Sequence, residues 1–300
     1  MKFLFCLFDG LRRDFVRADT MPNLYSFQND WVDYPNSSST FPSETRVQVS
    51  SFVTGAYCGG SIPHGSGQSE FGHGIMANSF YDPILGFDGA LDTSDIVKME
   101  QAKAIYGKLQ KPPSLGEILW EAEKNYSVIT TGKIGNARLL NLNADKLDQK
   151  LFSIWGADIS SSTADYDGII KKFGPVPEQR FPNNTVSQYA TTVLLKHFLL
   201  DRSADVQVIW YNEPDLSFHY EGIGSPTSLS SLKCLDQCFE KILNWWETSG
   251  RSEGWHIITC SDHAQISKIK QVNVIDELKI AGFKAGLAIN DDIDIAVKPS

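Results

Sequence analysis

The chain has 300 residues, enough to bury a sizeable core in one domain or two. Its 42% hydrophobic and 21% charged content is that of an ordinary globular protein. The 36 acidic against 27 basic residues give a formal net charge of -9, which excludes a general binder of nucleic-acid polymers because there is no basic surplus to neutralise phosphates.

Taken in chain order, Met1–Phe8 is apolar but short, lacks a small-residue cleavage site and ends at Asp9-Gly10, so it reads as a buried strand over Lys2–Phe8 and not as a leader. No run is long enough to span a bilayer, and a cytoplasmic protein is the expectation. Ser38–Gly55 packs hydroxyls around Phe41-Pro42 and then turns apolar, which suits a loop entering a helix over Thr45–Phe52. Gly59–Gly72 is rich in Gly, Ser and Pro and reads as a loop. Tyr81–Pro113 has weak periodicity and reads as a surface insertion. Ser114–Lys124 opens with a Ser cap and Glu117 three residues on, the capping-box pattern. Ser127–Thr131, Val206–Tyr211, His256–Cys260 and Asp292–Val297 read as further strands. Thr185–Leu200 and Leu229–Thr248 read as long amphipathic helices, and Pro175–Pro182 as a loop. Strands alternating with helices predict one α/β domain over residues 1–300, with a mostly parallel sheet and helices on both faces.

Cys6, Cys58, Cys234, Cys238 and Cys260 are odd in number and lack disulfide-type spacing, so a reduced compartment and structural thiols are expected. Asn36, Asn125 and Asn183 open glycosylation-type triplets, which read as chance without a secretion signal.

Three predicted strands end in metal-type ligands. Asp9 follows the first. Asp215, with His219 four residues on, follows Val206–Tyr211. Asp262-His263 follows His256–Cys260. In a parallel α/β sheet the carboxyl ends of the strands share one edge, where ligands bind. The Asp-x-x-x-His spacing puts two ligands on one helical turn, and mixed Asp and His donors suit zinc, manganese or iron. Taken singly, Asp9 also reads as a turn residue and His219 as a structural histidine; His64, His73, His197 and His256 read as structural. Thr40 remains either a helix-entry hydroxyl or a nucleophile. Phe80, Tyr81, Trp210 and Tyr211 are core aromatics or stacking groups.

Phe8-Asp9-Gly10-Leu11-Arg12, Thr40-Phe41-Pro42, Val53-Thr54-Gly55, His73-Gly74-Ile75, Asn78-Ser79-Phe80-Tyr81-Asp82-Pro83, Pro214-Asp215…His219 and Ser261-Asp262-His263 occur in one order. This series resembles the type I phosphodiesterase / nucleotide pyrophosphatase family of the alkaline phosphatase superfamily, over residues 3 to about 265. The resemblance implies an alkaline-phosphatase-like layered fold and two divalent metal ions, zinc foremost. Asp9, Asp262 and His263 would hold one, with Thr40 as its reactive ligand; Asp215, His219 and a further histidine would hold the other. It also implies that Thr40 forms a phospho-threonine, that Asn78 binds a phosphoryl oxygen, and that the substrate is a small phosphate ester or nucleotide.

The chain departs from the family pattern in places. The family's further histidine lies downstream of the Asp-His pair, but none follows His263, which reads as a C-terminally incomplete domain. Ser43 stands where Asn is usual after Thr-Phe-Pro, and Ala264 where Gly is usual. Cys58–Phe71 is longer than the family's link to His-Gly-Ile. The alternatives are a phosphomonoesterase or phosphonate hydrolase of the same superfamily, or a non-catalytic metal-binding relative.

Overall fold

A computed structural model of the chain describes residues 1–59, 72–82, 84–86, 89–201, 204–287 and 292–298. The first half holds β1 (Lys2–Phe8), α1 (Pro22–Asp30), α2 (Thr45–Thr54), β2 (Ser79–Phe80), β3 (Leu91–Asp92), α3 (Ile96–Tyr106), α4 (Leu115–Glu121), β4 (Tyr126–Thr130) and α5 (Ile134–Leu140). The second half holds β5 (Lys150–Ser153), α6 (Thr163–Phe173), α7 (Asn184–Val193), β6 (Val206–Tyr211), α8 (Asp215–Glu221), α9 (Pro226–Trp245), β7 (Trp255–Cys260), α10 (Val274–Ile280), β8 (Ala285–Gly286) and β9 (Ile295–Ala296).

Five strands form one sheet in the order β5-β4-β6-β1-β7, and each neighbouring pair is parallel. The alternation of side chains along a strand splits the core in two. Leu4, Cys6 and Phe8 of β1, with Ile209 and Tyr211 of β6, face one cluster that contains Leu24 of α1, Val186 and Ala190 of α7, and Leu235 and Phe239 of α9. Leu7 of β1, with Val208 and Trp210 of β6, faces the other, with Val49 and Val53 of α2, Met99 and Ala102 of α3 and Leu139 of α5. Both faces of the sheet are therefore covered by helices, as all-parallel sheets require.

The predicted strands fall within a residue of β1, β4, β6 and β7. Asp292–Val297 shortens to β9, which pairs only with β8, outside the main sheet. Thr185–Leu200 and Leu229–Thr248 form as α7 and α9, each running into one wider turn, Leu194–Phe198 and Trp246–Gly250. Ser114 and Glu117 make the reciprocal capping bonds that their spacing predicts. Tyr81–Pro113 is no surface insertion: Leu91, Met99, Ala102 and Leu109 from it are buried in the second cluster. The Gly59–Gly72 loop and the long Cys58–Phe71 link fall largely outside the described residues, and His64 wholly so.

All five cysteines are free. Cys234 and Cys238 lie buried against the sheet in the first cluster. Among the described residues, no helix is long and apolar enough to cross a membrane.

Candidate active site

The site grows from the carboxyl ends of three adjacent strands, β6, β1 and β7. Asp9 leaves β1 and bonds back through its N–H to the Tyr211 carbonyl of β6, at 3.0 Å. Asp215 opens α8, and its N–H donates to the Asp9 carbonyl at 2.9 Å. Gly10 makes this contact possible: its φ is +70°, and a Cβ there would meet the Asp215 Cβ at 2.9 Å. Asp262 Oδ1 accepts the Gly10 N–H at 3.0 Å and the His263 N–H at 2.9 Å, tying the β7 end to the β1 end.

Asp9, Asp215 and His263 each bring one donor atom within 4.8 Å of the others. Around His263 Nε2 the set is tighter. It lies 3.0 Å from Thr45 Oγ1, 3.6 Å from Asp9 Oδ1 and 3.5 Å from Asp262 Oδ2, and Thr45 Oγ1 lies 3.5 Å from Asp9 Oδ1. Four donors on one tetrahedral dication, with bonds of about 2.0–2.2 Å, sit about 3.3–3.6 Å apart, so this spacing suits one small ion. Asp262 Oδ2 is buried without a hydrogen-bond partner. Burial, and then the neighbouring Asp262 and Asp215 carboxylates, push Asp9 well above the usual carboxylate range. Burial also raises Asp262, against the favourable charge of His263. A cation would relieve both the orphaned oxygen and the crowded charges, so these residues fit a divalent metal.

Beside this group, Asp215 Oδ1 lies 3.4 Å from His219 Nε2, and this hydrogen bond raises the His219 pKa. The Gln265 amide donates to the same Asp215 oxygen. Trp210 is fully buried, and its indole N–H reaches Asp9 Oδ2 at 3.3 Å, so this core aromatic also orients a site carboxylate. Tyr211 is likewise core, bonded to Thr191 at 2.8 Å.

Among the described residues, the hydroxyl that meets this cluster is that of Thr45. Thr45 is the first residue of α2, after Glu44 in an extended conformation. The helix N-terminus there favours an anion. Thr40 instead bonds Gln48: its hydroxyl and its N–H both reach Gln48 Oε1 at 3.0 Å, and Gln48 Nε2 returns to the carbonyls of Thr40 and Pro42 at 2.9 Å. Its remaining contact is Ser51 Oγ at 3.4 Å, which in turn lies 3.1 Å from His73 Nε2. The Ile75 N–H donates to His73 Nδ1 at 3.1 Å, so the neutral ring carries its proton on Nε2. His73 therefore donates toward Ser51 and is no base for it. Among the described residues, none of Thr40's bonds goes to the cluster.

Asn78 lies at the same helix start. Its Oδ1 accepts the Arg46 N–H at 3.0 Å and its N–H donates to Glu44 Oε2 at 2.6 Å. His197 and His256 pack against aromatic rings and make no bond to the cluster.

The family described as type I phosphodiesterase / nucleotide pyrophosphatase matches residues 3–278. Bis(5'-adenosyl)-triphosphatase enpp4 of Mus musculus is 31% identical over 83 residues, which are 28% of this chain and 16% of that protein. Murine ectonucleotide pyrophosphatase / phosphodiesterase 5 superposes with a TM-score of 0.59 at 19% identity, covering 92% of this chain and 61% of the other. Phosphonoacetate hydrolase from Sinorhizobium meliloti 1021, in complex with phosphonoformate, superposes with a TM-score of 0.61 at 19% identity, covering 93% and 61%. The chain thus spans about three-fifths of the length of these solved structures, with which it shares the layered α/β fold.

Proposed function

The chain belongs to the type I phosphodiesterase / nucleotide pyrophosphatase family, and we propose that it is a divalent-metal-dependent hydrolase of phosphodiester or nucleotide pyrophosphate bonds with Thr40 of Thr-Phe-Pro as its nucleophile. The observation that supports a metal at this site is the grouping of His263 Nε2 with Thr45 Oγ1 at 3.0 Å and Asp9 Oδ1 at 3.6 Å, at a helix N-terminus. Reaction on Thr40 requires its hydroxyl, held by Gln48 at 3.0 Å, to leave that bond for the ion.

Asp9, Asp262 and His263, with Thr40 as its reactive ligand, would hold one ion; Asp215 and His219 would contribute to a second. The Asp, His and hydroxyl donors favour zinc, with manganese or iron as substitutes. A bound dication favours the alkoxide form of a hydroxyl and stabilises charge on a transferring phosphoryl group. Thr40 Oγ1 attacks phosphorus as the leaving oxygen departs, and water then hydrolyses the phosphothreonine, in the two-step logic of covalent catalysis. The α2 N-terminus supports the phosphoryl charge, and Asn78 supplies a donor to a non-bridging oxygen.

A small phosphate ester or nucleotide is the substrate class. Murine ectonucleotide pyrophosphatase / phosphodiesterase 5, in an inactive threonine-to-alanine form, is described in complex with AMP, which supports a nucleotide. A phosphonate or a phosphomonoester is the alternative within the superfamily. Hydrolysis of bis(p-nitrophenyl) phosphate and p-nitrophenyl phosphate, with zinc or manganese, tests the reading. We expect a metal-dependent diester rate that falls at least about 1,000-fold in Thr40→Ala. A Thr45→Ala collapse with Thr40→Ala active would move the nucleophile to Thr45.

A further inference from the structure

Gln265 stands two residues past His263, on the turn that also carries Asp262. Its side-chain nitrogen donates twice to one residue, to the Asp215 carbonyl at 3.3 Å and to Asp215 Oδ1. Both partners are acceptors, so the amide lies with its N–H₂ toward them. One nitrogen bridging the main-chain and side-chain oxygens of a residue fixes the torsion between them. Gly10 also packs against this carboxylate: a Cβ there would meet Asp215 Oδ1 at 3.1 Å. Among the described residues, the hydrogen bonds to the Asp215 carboxylate all go to Oδ1 and none to Oδ2.

Gln265 is itself held. Its carbonyl accepts a bond from Arg12 Nη1 at 3.2 Å. Arg12 Nε and Nη2 grip Asp14 Oδ1 and Oδ2 at 2.9 and 2.8 Å, and the guanidinium lies over the Phe15 ring at 5.5 Å. Ser261 Oγ donates to the His263 carbonyl at 2.7 Å, which tightens the turn. Arg12, just past the end of β1, therefore sets where the Gln265 side chain starts, and Asp215 is where it ends.

We propose that Gln265 is a positioning residue for the second ion: its amide takes Asp215 Oδ1 and leaves Oδ2 as the oxygen presented to the metal. Asp215 shares its surroundings with Asp9. An unrestrained carboxylate there would turn away from that charge, or bind an ion through both oxygens. A hydrogen bond on one oxygen stops both, and bonds of this kind behind a ligand tune metal affinity. A neutral amide suits the task, because a lysine or arginine donor would repel the ion. The turn from Asp262 to Gln265 thus carries two ligands of one ion and the donor that aims a ligand of the other. This proposal rests on the two-ion part of the reading above.

Zinc binding to the metal-free full chain, followed by calorimetry with native mass spectrometry to count ions, tests it in wild type, Gln265→Met and Gln265→Ala. Methionine keeps the length and loses the donor; alanine repeats the test without the bulk. Wild type is expected to take two ions. Each variant is expected to bind the first with a Kd within about threefold of wild type and the second at least about tenfold more weakly. Cobalt in place of zinc gives a signature that a merely structural role would not move: the absorption bands that appear with the second equivalent should shift in the variants, and those of the first should not. In chelator the variants should melt within about 4 °C of wild type. An unchanged second-ion Kd in both variants would overturn the proposal, as would equal weakening of both ions together with a lower melting temperature in chelator. So would a wild-type protein that takes a single ion, even one that hydrolyses the diester. Two ions with the expected loss, but no diester hydrolysis, would remove the hydrolase reading and leave this assignment standing.

Discussion

Thr40 and Thr45 are five residues apart and chemically identical, but their surroundings differ. Thr40 belongs to a chain of hydrogen bonds running from His73 through Ser51 to Gln48, which fastens the incoming loop to α2. Thr45 meets an imidazole and a carboxylate. The His73 end of that chain carries a stability prediction. His73 is fully buried, and burial lowers its pKa from 6.5 to about 4. Between those values the unfolded chain binds a proton that the native state refuses, so stability is lost as pH falls from about 6.5 toward 4 and is retained above it. The total reaches about 3 kcal/mol. Unfolding free energy measured by urea from pH 7 to 4 should therefore fall less steeply in His73→Gln than in wild type; equal slopes would show that His73 does not set this dependence.

At the scale of elements, the site depends on where three parallel strands stop. That much was legible in the sequence: Asp9, Asp215 and Asp262-His263 each follow an apolar run, and adjacency of β6, β1 and β7 brings them to one edge. The start of α2 at Thr45 was legible too. Glu213 left no signal at all. It is buried between β6 and α8, accepting the Asn183 N–H at 2.7 Å and the Ser217 N–H at 3.1 Å, and so fixes the start of α8 against that of α7. Such a role depends on a fold-level contact across 30 residues, which no local pattern encodes. The Tyr81–Pro113 stretch was misread for a related reason: Leu91, Met99 and Ala102 reach the core from short elements with little amphipathic signal. On the opposite face, Phe239 of α9 packs edge-on against Phe8 at 6.3 Å and Phe27 at 5.3 Å. Phe239→Ala should cost about 3–5 kcal/mol in denaturant unfolding; a loss below about 1 kcal/mol would mean that α9 does not anchor the sheet in this way.

For the molecule as a whole, an acidic protein with a net charge of -9 concentrates Asp9, Asp215 and Asp262 in one buried pocket. Without a cation that grouping opposes folding; with one it becomes a source of stability by mass action. Asp262→Asn should therefore separate two effects. In chelator its melting temperature should match or exceed that of wild type, because a like charge is gone. With zinc added it should fall below wild type, because the ion has lost a ligand. A variant less stable than wild type under both conditions would argue that Asp262 serves through its bonds to Gly10 and His263 and not through a metal.

The most direct test of the account is the site of the covalent intermediate. Protein turning over a diester with zinc is quenched in acid, digested, and its phosphorylated peptide sequenced by fragmentation. The account predicts a phosphoryl group on Thr40 that is absent from Thr40→Ala and present in Thr45→Ala. A phosphoryl group on Thr45, or turnover with no phosphorylated threonine trapped under any quench, would contradict it.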